Sequence, residues 1–216
     1  MRKKILALVL TVLLLSCYAV GSTVAWLMDK TNPVVNTFTY GDINIDLEET
    51  DTDLDSDDNP HTNKYQMTPG QQITKDPKIT IKTQSKASWL FVKLDKSANF
   101  DNFLEYEMAE GWTQLTDAQG NAVTGVYFRQ VDEVLEDAVV YAVIRDNQMF
   151  VKETVTKEML NALDPQGQDT AYPTLTITAY AVQRSGFEPE ISDGADAPTN
   201  EQIAAAALFA WGQLGN

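Results

Sequence analysis

The chain has 216 residues, 31 of them acidic and 16 basic, for a formal net charge of −15, and it contains one histidine (His61) and one cysteine (Cys17). A field of that sign repels nucleic acid and anionic lipid. With so little histidine and cysteine, the usual nucleophile–histidine pairs and His-rich zinc centres are also excluded.

Met1-Arg2-Lys3-Lys4 precedes an uncharged apolar run from Ile5 to Leu15, the two leading regions of a secretory signal peptide, placed at 1–25. At about 1.5 Å per residue such a helix is shorter than the ~30 Å hydrocarbon core, so removal is expected over permanent anchoring. Thr23-Val24-Ala25 puts small residues where signal peptidase reads, with cleavage between Ala25 and Trp26. Leu14-Leu15-Ser16-Cys17 offers a second exit, an imperfect lipobox that would lipidate Cys17, and a retained N-terminal anchor is the third. Cleavage after Ala25 leaves 13 bases against 31 acids, a net −18, with no cysteine for a disulfide.

The mature N-terminus then carries Trp26, Leu27, Val34, Val35 and Phe38, an apolar, β-capable segment over 26–40. Such a segment either pairs as the first strand of its own sheet or adds to the sheet of a neighbouring subunit as a donor. Ile43, Ile45 and Leu47 alternate with Asp42, Asn44 and Asp46, the period-two pattern of a strand with one buried face. An exposed acidic loop follows at 48–63. Its Asp51, Asp53, Asp55 and Asp57 superficially follow the ligand spacing of an EF-hand, but Ser56 stands at the glycine position and Thr62 at the bidentate glutamate position. Asp53, Asp55 and Asp57 are therefore weak Ca²⁺ candidates, with the solvated loop as the competing reading.

Further strands are predicted at 78–83, at 89–94 (apolar in both phases, hence central), and at 125–129, 139–144, 148–152 and 174–182, with Asp146-Asn147 as a tight hairpin turn. Helices are predicted at 99–108, at 156–163 with Thr156 as N-cap, and at the end of the chain. There Thr199 and Gln202 form a capping box ahead of Ile203–Trp211, and Gly212 ends the helix. A polar loop spans 186–198. Many short antiparallel strands with few helices predict a mostly β sandwich or barrel, as one domain over 26–216. No phosphate-binding glycine loop, dinucleotide fingerprint or His-Glu-x-x-His motif is present, and nothing singles out one carboxylate pair among 31 acids.

Thr23-Val24-Ala25-Trp26-Leu27-Met28-Asp29, followed by Asn36-Thr37-Phe38-Thr39-Tyr40-Gly41-Asp42-Ile43-Asn44-Ile45, resembles the signal and first strand of proteins processed by SipW-type signal peptidase. These are the TasA and camelysin family of Gram-positive exported proteins. The resemblance continues in Lys75-Asp76-Pro77-Lys78-Ile79 before Ala87–Val92, and in Thr176–Gln183 with Gly186-Phe187. The acidic loop and the alanine-rich last helix lie outside it. It implies a jelly-roll-like antiparallel β-sandwich with a few short helices and a C-terminal helix, secreted to the cell surface or biofilm matrix. Relatives polymerise into fibres by giving an N-terminal strand to the next subunit, a position that Trp26 to Phe38 matches. The expected partners are further copies in a homo-oligomer or fibre, a second matrix subunit and signal peptidase, with no membrane span after processing and no cofactor beyond Ca²⁺. The metallopeptidase label carried by camelysin has no zinc motif here to support it, so no enzyme activity is expected. The rival reading is a monomeric surface module that binds Ca²⁺ or a wall polymer.

Overall fold

The stretch from Ser88 to Lys96 is apolar in both of its alternating phases, so a strand built from it must be covered on both faces. The computed structural model describes the backbone of residues 28–30 and, in full, residues 43–50, 63–163, 172–191 and 196–215. The described strands are β1 (Met28–Lys30), β2 (Ile45–Glu48), β3 (Gln72–Thr74), β4 (Lys78–Ile81), β5 (Ser88–Lys96), β6 (Leu104–Met108), β7 (Thr113–Thr116), β8 (Ala122–Val131), β9 (Val139–Ala142), β10 (Ile144–Val151) and β11 (Leu175–Gln183). The described helices are α1 (Phe100–Phe103), α2 (Lys157–Leu163) and α3 (Asn200–Gly212). The protein is mostly β. Every strand pairing is antiparallel, in sheets of order β1-β11-β5-β8-β7, β3-β10-β6 and β2-β4-β9.

β5 holds the centre of the largest sheet, and its side chains divide by parity. Leu90, Val92 and Leu94 join one apolar cluster with Ile45, Ile79, Ile81, Ile144 and Val151 of the two smaller sheets. Trp89 and Phe91 point the other way and pack with Ala207, Ala210 and Trp211 of α3. The layers are therefore helix, five-stranded sheet, then the pair of three-stranded sheets. Each fully buried large side chain of β5 contributes about 1.5–3 kcal/mol relative to exposure. α3 begins where its capping box predicts: Thr199 accepts from the Gln202 backbone N–H, and the Gln202 side chain accepts from the Thr199 N–H at 2.8 Å. The helix runs through Gly212 rather than stopping before it. Thr156 likewise caps α2, its Oγ1 accepting from Met159 N at 3.2 Å.

Two expectations are corrected. The helix at 99–108 lasts only from Phe100 to Phe103. Beyond it Leu104, Tyr106 and Met108 alternate with Glu105 and Glu107, and period two prevails as β6. Asp146-Asn147 is no hairpin turn: both residues lie inside β10 at φ 53° and 56°. They form a bulge where the register against β6 slips between Ile144 and Met149. The segments on either side of it therefore do not pair with each other. β9 pairs with β4, while β10 lies between β3 and β6. The short strands β3 and β7 were not apparent in the sequence.

Candidate functional site

β1 begins three positions after Ala25, and it pairs antiparallel with β11 in the register Met28–Val182, Asp29–Ala181 and Lys30–Tyr180. Of the two ways to read the 26–40 segment, the described three residues take the in-chain one. Among the described strands they are the outermost of the large sheet, with β11 as their partner. β11 is matched to β5 along its full length from Leu175 to Gln183. On its other side, among the described residues, β1 covers only positions 180–182. The remaining edge of β11, from Leu175 to Ala179, carries no described partner strand. Both faces of β11 are apolar, with Ile177, Ala179 and Ala181 in the larger cluster and Tyr180 and Val182 on the side of α3. Ala25, Trp26, Leu27, Val34, Val35 and Phe38 lie outside the described residues.

A second arrangement sits at the neck of the acidic loop. Glu49 and Thr50 lead from β2 into the loop, and Asn63 and Tyr65 lie at its return. Lys75 and Asp76, both nearly buried, bind these ends together. Lys75 Nζ lies 2.8 Å from Glu49 Oε2 and 5.3 Å from the Tyr65 ring centroid. The Tyr65 hydroxyl donates to Glu49 Oε1 at 2.6 Å. Asp76 accepts from the Thr50 backbone N–H at 2.9 Å, from Thr50 Oγ1 at 2.8 Å and from Lys78 Nζ at 2.6 Å. Burial alone raises the Asp76 pKa, but the bonds from Lys78 and Thr50 outweigh it and hold the carboxyl below its ordinary value. The neck fixes the loop's exit and return. The Ca²⁺ candidates Asp53, Asp55 and Asp57 lie outside the described residues, and among those described no group of three acidic, histidine or cysteine side chains is placed to hold a metal.

This neck was not legible in the sequence, because its partners stand 26 positions apart in the chain. The run Lys75-Asp76-Pro77-Lys78, noted above for its resemblance alone, has a physical role as its inner wall. Gly186-Phe187 has one too. The Phe187 side chain is buried beside Trp89, whose Nε1 donates to the Phe187 carbonyl at 3.0 Å, and Gly186 takes φ 87° to turn the chain there.

No described helix is long and apolar enough to cross a membrane. Compared with protein-family models, with curated proteins and with solved structures, the chain matches none of them.

Proposed function

We propose that the chain is a secreted structural subunit of the cell surface or extracellular matrix, with a jelly-roll-like fold of the TasA and camelysin kind, that self-associates by exchanging its N-terminal segment. The observation that carries this reading is the position of β1. Met28–Lys30, just after the expected cleavage site, are the edge strand of the large sheet among the described residues, and β11 beside them has no other described partner on that side. Domain exchange needs little more than an element that fits its own fold and can leave it. Backbone hydrogen bonds contribute about 1 kcal/mol each, so three paired residues are held by only a few kcal/mol through the main chain. The same segment from another copy would find the same register on β11. Signal cleavage frees this segment, and in that sense export and assembly are one event.

The reading is tested by comparing chains that start at Trp26 and at Gly41 by sizing chromatography and electron microscopy over a range of concentrations. Association or fibres are expected from the first and monomers from the second. Equal monomeric behaviour at high concentration would rule out exchange.

A further inference from the structure

Arg129 is the third residue from the end of β8 and shares its inward phase with Tyr127 and Val131. Its Cζ lies 3.9 Å from the Tyr141 ring centroid on β9 and 5.4 Å from that of Trp112. Gly111 presses its bare backbone to the same group. A Cβ there would sit 2.8 Å from Nη2, 3.2 Å from Cζ and 3.4 Å from Nη1, and the glycine's φ of +87° disfavours any side chain. Trp112 is itself fixed, its Nε1 donating to the Ala142 carbonyl at 2.8 Å.

The guanidinium is thus stacked and walled, yet its hydrogen-bonding capacity is not fully spent. Nε is sealed from solvent with no acceptor. Among the described residues, Arg145 and Arg184 pair with Glu107 and Asp132, and six lysines pair with carboxylates. Arg129 pairs with none, although the chain holds 31 acids to 16 bases. A guanidinium keeps its charge at any working pH, and aromatic faces offset that charge without accepting its N–H bonds. A carboxylate supplies what the stack does not, in the forked geometry that arginine matches best.

We propose that Arg129, held among Tyr141, Trp112 and Gly111, is a receptor for one carboxylate group brought from outside the fold. With Nε sealed, the carboxylate binds end-on, one oxygen to Nη1 and one to Nη2. The site lies beside β9, among the described strands the outer one of its sheet, where Val139 and Val140 are exposed. A polyanion is disfavoured by the acidic field of the whole chain, whereas a single carboxylate is neutralised locally. Arg129 stands three strands from β1 in the large sheet, so the site does not depend on N-terminal exchange. The carboxylate comes from one of two sources: an acidic side chain of a second copy of this chain, or a small free acid.

The test is an NMR titration of the full secreted chain with sodium acetate, set against sodium chloride at equal ionic strength, following the Trp112 indole N–H and the Arg129 Nε–H. Saturable shifts with acetate but not chloride are expected, abolished in Arg129→Gln and weakened about tenfold in Arg129→Lys, which keeps the charge but loses the fork. If the same signals shift as protein concentration rises without acetate, and acetate reverses the change, the source is a second copy. Shifts with acetate alone make it a small acid. Equal response to chloride and acetate, or an unchanged titration in Arg129→Gln, overturns the proposal. Should Arg129→Gln fail to fold, an unweakened titration in Arg129→Lys overturns it equally.

Discussion

Gly125 interrupts β8 at φ +70°, where an added Cβ would lie 2.3 Å from the Leu94 carbonyl oxygen of the adjoining β5. Backbone cannot yield as a flexible side chain can, so Gly125→Ala is expected to destabilise by more than about 1 kcal/mol, read as a lower urea midpoint. The loop neck makes a second demand on single residues. The Asp76 carboxyl is held below its ordinary value of 3.8. A depressed folded pKa adds stability that is fully present above the unfolded pKa and is lost as pH falls through the lower folded value. Urea midpoints should therefore be insensitive to this group from neutral pH down to about 4 and decline below it. Asp76→Asn should cost stability at pH 7 and converge on the parent at low pH. Parallel curves for the two proteins would contradict that origin. Lys75→Met strands the Glu49 charge in a nearly closed site, and the expected loss is about 3 kcal/mol. None of this was legible in sequence, since a lysine or aspartate reads as surface until its distant partners are placed beside it.

Elements were legible where a single period ran unbroken. The alternation of Ile43, Ile45 and Leu47, the two-phase apolar run of β5, and the capping boundary of α3 all carried over into the fold. Reading failed where two periods meet within a few residues. Phe100 and Phe103 are one helical turn apart and both buried, yet the next residue starts a strand. β10 bends at Asp146-Asn147 without ending, because short polar residues tolerate the left-handed conformation that a bulge needs as readily as a turn does. The alanine-rich α3 read as a stable helix, but its place did not show. It closes the second face of the large sheet, with Trp211 5.3 Å from Phe91 and 5.2 Å from Tyr180 by ring centroids. Trp211→Ala should cost about 3–5 kcal/mol in chemical denaturation, whereas Thr199→Ala, which loses only the cap, should cost about 1 kcal/mol.

At the scale of the whole molecule, antiparallel β structure follows from many short strands, while sheet order does not. Apart from the β7–β8 hairpin, each pairing joins segments far apart in sequence, and β11 finds β5 and, across most of the chain, β1. Among the described strands that order puts Met28–Lys30 at an edge, and the proposed function depends on it. The most direct test uses hydrogen exchange on the chain starting at Gly41, alone and with a synthetic peptide of residues 26–40. The β11 amides facing the β1 side should exchange faster in the shortened chain, and the peptide should restore their protection in a saturable way while the β5-facing amides stay unchanged. If the peptide leaves β11 unprotected at saturating concentration, the β11 edge is not the acceptor and N-terminal exchange is contradicted.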